Sequence, residues 1–129
     1  MSGGKYFSFI ALGGENNVGG SCYALRAGKN IILLDAGVRY TADLLTRLPD
    51  TRPLYDTWGI ESLMDVDALV ISHSHADHAG ALPYFAGDMG GRNIFSSEAV
   101  PDMLLAQNSI AASVSDMIAP VPWGGEVSH

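Results

Sequence analysis

The sequence predicts an α/β domain, classed as α+β in some schemes, and three observations carry that reading. Short runs of apolar, β-branched and aromatic residues recur at 6–12, 21–26, 31–34, 67–72 and 93–96. Between and after the later runs lie stretches of helical composition, at 79–85 and from 97 to about 112. The chain has 129 residues, 47% hydrophobic and 16% charged, which suits one domain with a core of its own. Strands that alternate with helices form a sheet with helical cover.

Taken in order, residues 6–12 read as a first strand. Gly13-Gly14-Glu15-Asn16-Asn17-Val18-Gly19-Gly20 is a tight loop. Residues 21–26 form a second strand, and Ala27-Gly28-Lys29-Asn30 is a hairpin turn by composition. Ile31 to Leu34 is a fully apolar third strand that runs into Asp35-Ala36-Gly37. Residues 38–65 read as an irregular excursion broken by Pro49 and Pro53, with a helical turn at 43–48. Residues 67–72 are a buried strand. A short helix is expected at 79–85, a turn at 87–91 and a strand at 93–96. A longer helix should follow, capped by Ser96 or Ser97, with Pro101 tolerated in its first turn. Met103, Leu104, Ile110 and Val114 are spaced to share one face of it. Residues 120–125 read as a loop, and Glu126-Val127 as the start of another strand. No internal repeat or low-complexity linker interrupts the chain.

Charge narrows the function. Seven Lys and Arg against fourteen Asp and Glu give a net charge of −7. A nucleic-acid grip built by this segment alone is disfavoured, because phosphate binding rests on clustered cations. Bound divalent ions would change that, by supplying positive charge where a phosphate sits. The fifteen glycines suit a loop-built active site. Cys22 is the sole cysteine, so no intrachain disulfide can form. It lies in an apolar strand and reads as a small buried hydrophobe. With no long apolar run, neither a signal peptide nor a membrane span is expected, and the chain is expected to be cytoplasmic.

The chemistry is concentrated in one string, His73-Ser74-His75-Ala76-Asp77-His78, which holds three of the four histidines. The apolar strand before it delivers the string at a strand end. On extended backbone, residues two apart project to one side, so His73 and His75 can reach one metal ion. If the chain then turns into a helix, Asp77 and His78 are re-aimed toward a second ion. Imidazole and carboxylate are ligands for catalytic zinc and also accommodate iron or manganese. A surface histidine cluster is the bland alternative. The apolar strand ahead and Ala79-Gly80-Ala81-Leu82-Pro83 behind weigh against it. Asp35 alone could be a turn aspartate capping Ala36-Gly37. The glycine loop at 13–20 is no Walker loop, since no Gly-Lys-Ser/Thr follows.

The run Ser72-His73-Ser74-His75-Ala76-Asp77-His78-Ala79-Gly80-Ala81-Leu82-Pro83 closely resembles the second motif of the metallo-β-lactamase superfamily. The opening residues Leu12-Gly13-Gly14, Val18-Gly19-Gly20-Ser21-Cys22 and Ile32-Leu33-Leu34-Asp35-Ala36-Gly37 resemble its β-CASP branch, the RNA-processing nucleases that include ribonuclease J. The resemblance implies the N-terminal part of an αββα sandwich. It implies that His73 and His75 ligate a first zinc, and Asp77 and His78 a second, with Mn2+ or Fe2+ as possible occupants. Asp35 would match the family's first motif, an aspartate at a strand end that supports the site. Asp77 and Asp35 are then the candidate catalytic carboxylates. The loop at 13–20 would edge the cleft.

The family also needs a further metal-binding His, a bridging Asp and another His downstream. His129 is the only imidazole after the motif, and it does not read as the missing ligand. Asp88, Asp102 and Asp116 sit in no matching context. Residues 1–129 are therefore expected to be a partial domain, its remainder supplied by further sequence or a second chain, with a homo-oligomer possible. The implied activity of the intact protein is dizinc hydrolysis of an RNA or DNA phosphodiester. A thioester, lactone or β-lactam hydrolase, a flavodiiron-type oxidoreductase and a non-catalytic metal-binding module are the competing readings.

Overall fold

The computed structural model describes residues 7–13, 20–38, 48–107, 110–122 and 125, without the side chain of Asp77. Six strands form one sheet in sequence order: β1 (Phe7–Gly13), β2 (Cys22–Ala27), β3 (Asn30–Leu34), β4 (Ala68–Ile71), β5 (Ile94–Ser97) and β6 (Ile118–Val121). β1, β2 and β3 pair antiparallel, and β3 through β6 pair parallel. The hairpin between β2 and β3 turns at Gly28, whose φ of 62° is open to glycine without a Cβ clash. The parallel strands need crossovers, and the helices supply them.

Helix α1 (Arg52–Asp56) and a 3-10 turn (Leu63–Asp65) precede β4. Helices α2 (Ala76–Ala79) and α3 (Leu82–Asp88) lie between β4 and β5, and α4 (Ala99–Ala106) and α5 (Ala112–Ser115) between β5 and β6. The region expected to be irregular is thus partly ordered. Pro53 sits in the first turn of α1, where its missing N–H is harmless. Ser62 and Asp65 form a reciprocal capping box on the 3-10 turn. Leu54 and Leu63 anchor both pieces in the core.

That core lies on one face of the sheet. Cross-strand neighbours Leu33, Leu69, Ile94 and Ile118 point into it and meet Leu54, Leu82, Phe85 and Leu104 from the helical layer. Alternate strand residues face the other way, among them Phe9, Leu34 and Val70, and these are exposed.

Three expectations are corrected. The helix at 79–85 is two helices, because Pro83 lacks the N–H and clashes with the carbonyl four residues back, so it starts α3 and cannot continue α2. The helix running to residue 112 stops at Ala106, and Met103 does not share the core face with Leu104: it is 47% exposed and Leu104 is 1% exposed. Neighbouring helical residues lie about 100° apart, and here that rotation carries Met103 out of the face that Val100 and Leu104 share. Residues 118–121 are a strand where a loop was expected at Pro120. Pro120 is tolerated because β6 is, among the described residues, an edge strand of the sheet. The helical turn at 43–48 falls almost wholly outside the described residues, as do most of the glycine loop, Glu126-Val127 and His129.

Candidate metal centre

Asp35 is the hub of the site. It directly follows β3 with φ 64°, a left-handed conformation that aspartate tolerates better than most residues. Its N–H donates to the Val70 carbonyl at 2.8 Å, which locks the end of β3 to β4. The turn sends residues 36–38 alongside α2. There Ala36 N donates to the His78 carbonyl (2.8 Å), Val38 N to the Ala76 carbonyl (2.9 Å) and Ala81 N to the Ala36 carbonyl (2.7 Å). Gly80 permits that approach: a Cβ there would lie 2.6 Å from both the Ala76 carbonyl oxygen and a Val38 methyl.

The Asp35 carboxylate is buried and fully engaged. Oδ1 accepts from the Ser72 backbone N–H at 2.7 Å. Oδ2 accepts from the Ser72 hydroxyl at 2.8 Å and lies 2.8 Å from His78 Nδ1. A carboxylate buried to this degree requires such partners. These bonds join positions far apart in sequence, the end of β3 to the end of β4 and to helix α2.

The histidines gather above this hub. β4 ends at Ile71, so Ser72 to His75 leave the strand, and His75 caps α2 with extended backbone, φ −64° and ψ 148°. The His73 ring stands edge-on to His75, centroids 5.2 Å apart, and tilted against His78, centroids 3.7 Å apart. The structure therefore brings His73, His75, His78 and Asp35 together. Asp77 lies within α2, between the last two histidines in sequence. Asp88, Asp102 and Asp116 are exposed elsewhere.

Among the described residues no three His, Cys, Asp or Glu side chains are disposed as ligands of a single ion, a set that does not include the Asp77 carboxylate. The donor chemistry nevertheless fits a metal. His78 Nδ1 is taken by Asp35, and His73 Nδ1 lies 3.0 Å from the Ser72 hydroxyl. That leaves Nε2 of His73 as a candidate ligand atom. A metal-binding imidazole is normally held in this way, by a carboxylate or hydrogen-bonding group on its other nitrogen.

Two neighbouring features are not ligands. Cys22 is fully buried, and burial, reinforced by the Asp35 carboxylate, pushes its thiol up to about 12. It is an inert core residue. A groove of about 800 Å³ lies on the open face of the sheet, lined by Ile32, Val70, Phe95 and Val121. Ser72 is the site residue that sequence reading passed over. Its one signal was a hydroxyl side chain at a strand end, directly before the first histidine.

Comparison with known proteins places this arrangement. Residues 16–90 match the family model described as the metallo-beta-lactamase superfamily. The chain is 44% identical over 78 residues to "Endoribonuclease YSH1" of Saccharomyces cerevisiae, a match covering 60% of the chain and 9% of that relative. The same figures hold for "Endoribonuclease YSH1" of Yarrowia lipolytica. The chain thus spans about a tenth of the length of these relatives. A solved structure titled "Peroxy diiron species of chemotaxis sensor ODP" superposes with a TM-score of 0.55 at 20% identity, over 90% of this chain and 41% of that one, and shares the fold. With the family's segment spanning more than half of the sequence and containing Asp35 and the histidine string, the chain belongs to the metallo-beta-lactamase superfamily.

Proposed function

We propose that His73, His75, Asp77 and His78 contribute to a dizinc centre and that the protein carrying them cleaves RNA phosphodiesters as a β-CASP-type nuclease. The observation that carries the choice of substrate is the 44% identity to proteins named as endoribonucleases. The cluster of three imidazoles braced by Asp35 supports the choice of metal site. Bound zinc ions would acidify a water toward neutrality and stabilise charge developing at the phosphate.

The chain's own residues prepare that site. Asp35 holds the His78 ring by Nδ1 and ties the ends of β3 and β4 together. His75 starts α2 and so fixes where Asp77 and His78 emerge. The net charge of −7 is compatible with an RNA substrate if the ions supply the local positive field. We read residues 1–129 as the N-terminal portion of the catalytic domain, with the remaining ligands supplied by further sequence or a partner chain. Their small share of the relatives' length and the open apolar face of the sheet support this. Among the described residues no helix is long and apolar enough to cross a membrane, and we propose a cytoplasmic location.

The test is Asp77→Ala or His78→Ala in the protein that carries this segment together with its remaining domain. Cleavage of an RNA oligonucleotide should be abolished while the circular dichroism spectrum is retained. Near-full nuclease activity with normal zinc content in either variant would overturn the two-metal assignment. Hydrolysis of a thioester or lactone, with RNA untouched by the wild type, would overturn the nuclease assignment and leave the family standing.

A further inference from the structure

We infer that Ser72 is a positioning residue whose hydroxyl links Asp35 to His73 and sets the tautomer of that ring. The inference rests on the reading of the histidine cluster as a metal site, and it follows from counting protons. The Ser72 hydroxyl has one hydrogen, and Oγ lies 2.8 Å from Asp35 Oδ2. An ionised carboxylate can only accept, so the hydrogen points to Asp35. The hydroxyl oxygen then has only lone pairs to offer His73 Nδ1, 3.0 Å away. That contact is a hydrogen bond only if Nδ1 carries the proton. A neutral imidazole has one N–H, so Nε2 of His73 is left with its lone pair free.

His78 is held at Nδ1 by a shorter route. Its Nδ1 is 2.8 Å from Asp35 Oδ2 and 3.5 Å from Ser72 Oγ, so the carboxylate is its partner. One buried carboxylate therefore governs two rings, His78 directly and His73 through a serine. His73 presents Nε2 as its ligand atom. The Ser72 backbone N–H donates separately to Asp35 Oδ1, so the link between strand ends does not depend on the hydroxyl. The hydroxyl's role can thus be tested with that backbone link left in place.

The experiment uses the protein that carries this segment together with its remaining domain, labelled with nitrogen-15 and free of metal. Long-range proton–nitrogen correlation spectra at pH 8 report the tautomer of each imidazole. Wild type should show Nδ1–H at both His73 and His78. In Ser72→Ala, His73 should lose that preference while His78 keeps it, and Ser72→Thr should restore His73. Calorimetric titration with zinc chloride should show affinity weakened about tenfold or more in Ser72→Ala, the usual loss when a ligand's supporting partner is removed. His73 found without Nδ1–H in wild type, or unchanged in Ser72→Ala, would overturn the inference. Should the alanine chain fail to fold, Ser72→Cys, a weaker acceptor, should shift His73 partway, and no shift would be equally decisive against the role. A tautomer switch in a chain that takes up no zinc would sink the metal reading and leave the role of Ser72 intact. Tight zinc uptake with no switch would do the reverse.

Discussion

The two faces of the central sheet are made from the same strands, yet they have opposite fates. On one, Leu33, Leu69 and Ile94 are 0% exposed beneath the helices. On the other, Leu34 and Val70 are each 38% exposed and Phe9 is 61% exposed. The residues on both faces are apolar. Ile31-Ile32-Leu33-Leu34 and Ala68-Leu69-Val70-Ile71 show no polar alternation at all. Continuous apolar runs of this kind belong to strands that are covered on both sides. Among the described residues only one side has its cover. The lesson is that burial is decided by which face the helices cover, because the composition of the two faces is alike.

Substitutions on the two faces test that contrast. Leu69→Ala on the covered face should cost about 2–5 kcal/mol of unfolding free energy in chemical denaturation, through lost transfer energy and the cavity left behind. A cost near zero would mean the helical layer is not packed on the sheet. At the sheet's end, Asp35→Ala should cost about 1–3 kcal/mol by stranding the Ser72 N–H and His78 Nδ1. Asp35→Asn should cost less, because asparagine tolerates the same positive φ and keeps an acceptor. Equal losses in both variants would show that the carboxylate's charge, and not its shape, holds the strand ends.

A pH measurement sharpens the description of the covered face. The Cys22 thiol is raised from an ordinary 9.0 to about 12, chiefly by burial. The folded state therefore holds this proton more tightly than the unfolded state. The resulting stability is fully present below pH 9 and is lost as pH rises toward 12. Cys22→Ala should flatten the alkaline part of the stability profile. In the native chain the thiol should resist alkylation at pH 8, and rapid labelling without unfolding would contradict its burial.

The smallest effect is expected on the open face. Val70→Thr should change stability by no more than about 0.5 kcal/mol, as surface substitutions usually do. A loss as large as that of Leu69→Ala would break the comparison, because it would mean that something covers this face in solution.

How much of this was legible follows from the range of each interaction. The strands at 31–34 and 67–72 and the hairpin at Gly28 declare themselves through local composition, and local structure follows local composition. The histidine string stood out because three imidazoles within six positions, behind an apolar strand, have few structural explanations. Asp35 could be named from its place at a strand end, but its partners could not. Ser72 and His78 are 37 and 43 positions away, and only the parallel pairing of β3 with β4 carries them to its carboxylate. The strand at Pro120 was hidden for the same reason. Proline disfavours strands in general, and it is acceptable here because β6 is an edge of the sheet among the described residues. The sequence by itself determined which residues carry donor groups suited to a metal and where five of the six described strands lie. The tertiary structure decided which groups face Nδ1 of His73 and of His78, because that depends on a serine hydroxyl and a buried carboxylate meeting across two strand ends.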